Sequence, residues 1–170
     1  NTVNLPAISN LPGIAITDPS AQINLPSGSN ITFDGDVSVH AGTLNCGDAK
    51  VSFGRYLHLH GGTFNASTDT TFFYNRIYVY GGNFNHNSGT AALLNNNINM
   101  YLYAPLSFHN LLLDLEHNSQ IRRLRLLGTD TLTVANNLHI ENGFINSNTV
   151  RLSGGLTVGS GFEPGSTTYL

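Results

Sequence analysis

Three segments of this sequence align without a gap. They are Val37-Ser-Val-His-Ala-Gly-Thr-Leu-Asn45, Leu57-His-Leu-His-Gly-Gly-Thr-Phe-Asn65 and Ile77-Tyr-Val-Tyr-Gly-Gly-Asn-Phe-Asn85. A fourth, Leu138-His-Ile-Glu-Asn-Gly-Phe-Ile-Asn146, fits the same pattern, and Leu156-Thr-Val-Gly-Ser-Gly-Phe-Glu-Pro164 is a degenerate fifth. The common form is Φ-x-Φ-x-x-Gly-x-Φ-Asn, with Φ apolar. The segments begin at 37, 57, 77, 138 and 156, so the steps are 20, 20, 61 and 18. The long step is close to three units. It places weaker copies near Ile98–Tyr101 and in 115–125, and a further unit fits upstream at Ile14–Ile16. A motif that returns at so constant a step implies that each unit takes the same structural position as the one before it.

Within each unit, apolar residues alternate with polar or aromatic ones, as in Val37/Val39, Leu57/Leu59, Ile77/Val79, Ile98/Met100 and Leu138/Ile140. Period-two alternation marks a strand with one buried face. The glycine that follows (Gly42, Gly62, Gly82 or Gly143) suits a bend at positive φ. Two positions later Leu44, Phe64, Phe84 or Ile145 turns back inward. A second short strand is expected at Val51–Phe53, Thr70–Phe73, Ala91–Leu94 and Thr149–Leu152. Short strands at a fixed step with no helical stretch predict an all-β fold, a parallel β-solenoid. We expect a right-handed β-helix of about 20 residues per coil and about seven coils. An antiparallel sandwich shares the short strands and frequent turns but does not require the constant step. No six-residue period is visible, which disfavours the left-handed hexapeptide form.

The coils are expected over residues 31–164, with 1–30 as a Pro-rich N-terminal cap or extended segment and 165–170 as a C-terminal tail. Four of the six prolines, Pro6, Pro12, Pro19 and Pro26, fall in that first segment, where Asn4-Leu-Pro6, Asn10-Leu-Pro12 and Asn24-Leu-Pro26 recur. Proline breaks ladder hydrogen bonding, which suits edge or extended structure. In the coils, equivalent residues should form columns about 4.8 Å apart. Leu44, Phe64 and Phe84 make one internal column, and Val39, Leu59 and Val79 another. Asn45, Asn65, Asn85 and Asn146 are expected to form a structural amide ladder, since each amide offers two donors and an acceptor.

Composition narrows the function. Only 10% of residues are charged, and the net charge is -3. Asn numbers 22, Gly 18, Thr 16 and Ser 14, against one Lys and three Glu. A nucleic-acid binder would show a basic face, so that partner is not expected. Apolar runs such as Leu111-Leu112-Leu113 are far too short for a membrane span. The single cysteine, Cys46, allows no intrachain disulfide. This polar, Lys-poor composition points to an extracellular or cell-surface protein that does not depend on disulfides, which favours a bacterial source. The start at Asn1 suits a processed form or an excised fragment.

Several stretches carry a resemblance. Gly81-Gly-Asn-Phe-Asn-His-Asn-Ser-Gly-Thr90 followed by Leu93-Leu-Asn95 is similar to repeats of large secreted bacterial surface proteins. So are Ser107-Phe-His-Asn-Leu-Leu-Leu-Asp114 and the run from Leu138 to Leu156. These resemble the β-helical stalk or passenger regions of adhesins, over roughly residues 37–160. The resemblance implies an adhesive or structural role, and it carries over no catalytic residue. Residues 1–30 do not share it.

Parallel β-helices also include polysaccharide lyases and hydrolases, which need clustered carboxylates in a groove. Asp34-Gly-Asp36 suits a turn. Asp114 and Glu116 alternate on one strand and could pair with Arg122, Arg123 and Arg125 as a surface charge ladder. We expect no catalytic residue, no cofactor and no enzyme activity. His40, His58 and His60 share an outward face, but without an aligned carboxylate they are not expected to hold a metal. That face continues through Tyr78, Tyr80, Tyr101 and Tyr103, and it is the candidate interaction face. The columns expected there are Ser38, His58, Tyr78, Asn99 and His40, His60, Tyr80, Tyr101. The expected partners are another copy of the chain, joined end to end, or a cell-surface or host ligand, with a glycan as a further candidate. The expected function is an extracellular structural or adhesive module, with a self-assembling filament subunit as one form of it, and the alternative is a carbohydrate-binding or polysaccharide-cleaving β-helix.

Overall fold

The computed structural model describes residues 1–115, 122–146 and 149–162. Among these the chain is all β, with parallel strands stacked in about eight turns, one more than the repeat count predicts. No helix among the described residues is long and apolar enough to cross a membrane.

The early coils have three walls. Wall A is a five-stranded sheet of β1 (Thr2–Asn4), β4 (Gln22–Asn24), β7 (Thr43–Asn45), β10 (Thr63–Asn65) and β13 (Asn83–Asn85). Wall B stacks β2 (Asn10–Leu11), β5 (Asn30–Phe33), β8 (Lys50–Phe53), β11 (Thr70–Phe73), β14 (Thr90–Leu93) and β16 (Leu106–Asp114), then β18 (Leu132–Asn146) with β19 (Val150–Leu152) and β20 (Gly155–Phe162). Wall C stacks β3 (Ile14–Ile16), β6 (Val37–Val39), β9 (Leu57–Leu59), β12 (Ile77–Val79), β15 (Asn97–Leu102) and β17 (Arg123–Gly128), and ends on the second half of β18. Because β18 bends through the corner, walls B and C form one 15-stranded sheet.

Residues 1–30 are not set apart from this stack. Thr2–Asn4 pairs in register with Gln22–Asn24, and Ile14–Ile16 with Val37–Val39. The segment is the first part of the solenoid. Pro6, Pro12, Pro19 and Pro26 all lie between strands, where no ladder donor is needed. The tail 165–170 lies outside the described residues.

The alternation sends one side of every wall inward. On wall A, Ile23, Leu44, Phe64 and Phe84 are successive partners. On wall B, Phe33, Phe53 and Phe73 stack with ring centroids 5.5 and 5.3 Å apart. On wall C, Val37, Leu57, Ile77 and Met100 follow one another, all buried. Burying a large apolar side chain contributes about 1.5–3 kcal/mol, and each column repeats that contribution at every coil. The corner glycines keep the coils close. Gly82 has φ +77°, and a Cβ there would stand 2.3 Å from the Gly62 carbonyl oxygen.

The cross-section changes after β13. Between β9 and β11 the chain runs from residue 60 to 69 and has room for β10. Between β15 and β16 there are only Tyr103, Ala104 and Pro105. No separate strand fits, and the hydrogen-bonded ladder of wall A ends at β13 among the described residues; the chain instead lays the first half of β16 over β13, with Phe108 5.3 Å from Phe84, before its second half joins β14. The length reappears in the nine-residue β16 and the fifteen-residue β18.

Candidate functional site

Wall C presents its outward side chains as two columns of flat rings. Ser38, His58, Tyr78 and Tyr101 are ladder partners in the first. His40, His60, Tyr80 and Tyr103 stack in the second. Centroids of His58 and Tyr78, and of Tyr78 and Tyr101, lie 4.6 Å apart, with interplanar angles of 5° and 7°. In the second column the spacings are 4.2, 4.8 and 5.6 Å. The parallel ladder sets this spacing, since equivalent residues one coil apart are separated by about one strand spacing. Each such pair is worth about 0.5–1.5 kcal/mol beyond area burial, so the face stabilises the stack whatever else it does.

Two expected alignments need correction. Tyr101 stands above Tyr78, not above Tyr80, and Tyr103 takes the place above Tyr80. Asn99 falls outside the ring columns, because its partner on the next strand is Arg125. The cause is the step. Leu57 pairs with Ile77, 20 positions on (77 − 57), whereas Ile77 pairs with Met100, 23 on (100 − 77). The three extra residues are Asn97-Ile98-Asn99, which lengthen the start of β15, since the turn Leu94-Asn95-Asn96 is as long as Tyr74-Asn75-Arg76 one coil earlier.

Wall A carries the amide ladder. Asn45 Nδ2 donates to Asn24 Oδ1 at 2.7 Å, Asn65 to Asn45 at 2.5 Å and Asn85 to Asn65 at 2.7 Å. Asn24 in turn donates to Asn4 at 2.9 Å. Asn146 is not in this column. It pairs with Arg125 on wall C, because Leu138–Asn146 runs along walls B and C while its look-alikes run along C and A. Sequence reasoning missed Asn4 and Asn24, although the recurring Asn-Leu-Pro triplets signal both.

The orientation of the rings decides what the face can do. Rings stacked on one another turn their faces inward along the column and their edges to solvent. A sugar docks on an open ring face, and within these columns the faces are already occupied. Stacked imidazoles also point their nitrogen lone pairs side by side rather than at a common centre, so His40 and His60 cannot close on one ion. Among the described residues no three His, Cys, Asp or Glu come together to hold a metal. Burial holds the His58 imidazolium below its ordinary pKa; the nearby Asp36 opposes this and His40 adds to it. His60 is lowered in the same direction, first by burial and then by His40 and His58.

The acidic residues are dispersed. Asp36 accepts from the Tyr56 backbone N–H at 3.3 Å and lies 3.4 Å from Arg55 Nε. Asp114 Oδ1 accepts from Asn142 Nδ2 at 2.6 Å on wall B. Arg123 and Arg125 lie on wall C beside Asn97 and Asn99. Glu116 is outside the described residues. One polar network escaped the sequence reading. His139 lies 2.7 Å (Nδ1) from Thr157 Oγ1 and 3.0 Å (Nε2) from Glu141 Oε2. It sits on the open outer surface of wall B. The signal was present in the i, i+2 pair His139/Glu141, but the partner on the next coil needed the 18-residue register.

Comparison with known proteins gives no matching family, no similar curated protein and no similar solved structure.

Proposed function

We propose that this chain is a structural β-solenoid module of an extracellular or cell-surface protein, with an adhesive or filament-forming role and no catalytic one. The observation that carries the reading is the run of side-chain ladders along the axis. Amides on wall A, phenylalanines inside wall B and rings outside wall C all stack coil on coil. Such a body is stiff along its length, because bending it opens several ladders together. It suits a spacer or rod that carries surfaces away from a cell. The low charge and Asn/Thr/Ser/Gly-rich composition support an extracellular setting. The solvent-facing edge row of His40, His58, His60, Tyr78, Tyr80, Tyr101 and Tyr103 is the proposed contact surface for a protein partner.

Electron microscopy of the purified chain tests the filament part of this reading. Rods longer than one chain, formed by end-to-end contact, are expected. Particles of single-chain length at every concentration would remove the filament role. For adhesion, surface-bound chain should capture cells or matrix, and the Tyr80→Ser/Tyr103→Ser double variant should capture less. Equal capture by both would remove the wall C face as the contact.

A further inference from the structure

His139 is placed differently from the other described histidines. His40, His58 and His60 stack on neighbouring rings. His86 faces His109 and accepts from the Ser88 N–H at 3.1 Å. His139 instead stands between a hydroxyl and a carboxylate, with Nδ1 2.7 Å from Thr157 Oγ1 and Nε2 3.0 Å from Glu141 Oε2.

These two contacts fix where the protons sit. An ionised carboxylate only accepts, so Glu141 takes its hydrogen bond from Nε2–H. In the neutral imidazole Nδ1 then carries the lone pair, and the Thr157 O–H donates to it. A hydroxyl bonded to a basic nitrogen, on a ring held from its far side by a carboxylate, is the arrangement of an activated nucleophile. The strands hold it in place. His139 and Thr157 are ladder partners on β18 and β20. Glu141 reaches across Gly159, where a Cβ would stand 2.4 Å from Oε2. Gly155 and Gly159 lie two positions either side of Thr157 and share its face in a strand. Thr157 is exposed, and no side chain at those two positions screens its hydroxyl.

We propose that Thr157 is an acylation site, a nucleophilic hydroxyl that takes an acyl group from an activated ester (an aryl ester or a thioester). Thr157 Oγ1 forms the new bond to the acyl carbon while its proton passes to His139 Nδ1. The bond from that carbon to the donor's oxygen or sulfur then breaks, and the departing group takes the proton back from Nδ1. Glu141 orients the ring and balances the imidazolium between the two steps. The product is an ester of an alkyl hydroxyl, whose leaving group is poorer than the donor's, so the acyl group stays on the chain. The site is a point of covalent attachment rather than a catalyst. It lies on wall B and does not depend on the contact face of wall C.

The probe is p-nitrophenyl acetate with the whole chain, read by nitrophenol release and by mass mapping of the acetyl group. One acetyl group per chain is expected on Thr157, with nitrophenol released in a single burst. The labelling rate should rise with pH as the imidazolium gives up its proton, and then level off. Thr157→Val should remove the label, and His139→Gln should slow it about a hundredfold. Glu141→Gln and Gly159→Ala touch neither the hydroxyl nor its base. Both take the carboxylate away from the ring, so each should slow labelling and move the pH profile to lower pH. The proposal is overturned if acetyl appears on Lys50 or the N-terminal amine but not on Thr157, or if His139→Gln labels as fast as the parent chain. It is also overturned if neither Glu141→Gln nor Gly159→Ala changes the profile, or if Thr157 releases nitrophenol beyond one equivalent.

Discussion

Phe64→Ala is the sharpest test of the stacking. Phe64 is fully buried, with Leu44 below it and Phe84 above. Its ring lies 5.7 Å from Phe53 in an edge arrangement and 5.1 Å from Phe84. Truncation loses the transfer energy of the ring and leaves a cavity, together typically about 3–5 kcal/mol for Phe→Ala. The cavity cannot close easily here. Leu44 and Phe84 are fixed by the ladder on either side, and Asn65 beside it is tied to Asn45 and Asn85. Two aromatic contacts are lost as well, each worth about 0.5–1.5 kcal/mol. A cost near the upper half of the range, about 4 kcal/mol, is expected. Phe84→Ala is the internal control. It is the same chemistry one coil on, but the ring is only partly buried, so about 1–2 kcal/mol is expected. Urea unfolding measures both, with amide exchange to check whether the coils melt together, since repeat arrays need not unfold in one step. Equal costs for the two variants, or a Phe64→Ala midpoint shift typical of a surface change, would refute the argument.

Four further outcomes are expected. Asn65→Ala leaves Asn45 and Asn85 each short of a partner and should cost about 1–2 kcal/mol in the same unfolding assay. Gly82→Ala combines φ +77° with a backbone oxygen 2.3 Å from the new Cβ, and should destabilise by more than about 1 kcal/mol, without altering the far end of the solenoid in amide-exchange maps. For pH, the folded state holds His58 and His60 below their ordinary value of 6.5. Their contribution is complete above pH 6.5 and is lost as pH falls through the folded values, because the unfolded chain then binds more protons. Unfolding midpoints should drop on acidification from that point, less so in the His58→Gln/His60→Gln double variant. Cys46 is buried and its thiol is pushed far up by desolvation, so a thiol reagent should label it only at the rate of local opening, and Phe64→Ala should speed that labelling.

The sequence made the middle of the solenoid plain. From Val37 to Asn85 the step is constant, each apolar column is complete, and the residues placed in contact by spacing alone are ladder partners. What was not legible follows from breaks in the step. Three added residues, Asn97–Asn99, shift Tyr101 and Tyr103 by one place in their columns, and nothing in the local pattern shows where an insertion is absorbed. The first coil was legible only in part. The unit at Ile14–Ile16 fits the step and pairs with Val37–Val39, but the prolines around it look like strand breakers until the structure places them between strands, which hid β1, β2 and β4.

The fourth repeat shows what the motif encodes. Leu57–Asn65 and Leu138–Asn146 share the same letters, yet the first runs from wall C to wall A and the second from wall B to wall C. The common content is a short strand with its apolar side inward, a bend, and a second strand entering inward again. Gly143 has φ +92° and a Cβ there would be 2.7 Å from Arg122 O, while Gly62 would meet Gly42 O at the same distance. Both corners need a residue without a side chain, for the same steric reason. The motif therefore specifies a corner but not which corner. That explains how the coil can change its outline after β13 while the strands stay in register. The connection shortens to Tyr103-Ala104-Pro105, and one long strand, β16, then passes over Phe84 and bends on to the β14 ladder, with Phe108 5.3 Å from Phe84. Two short strands and the corner between them are thereby fused into one element, and the inward alternation survives because Leu106 and Phe108 before the bend and Leu111 and Leu113 after it are all buried.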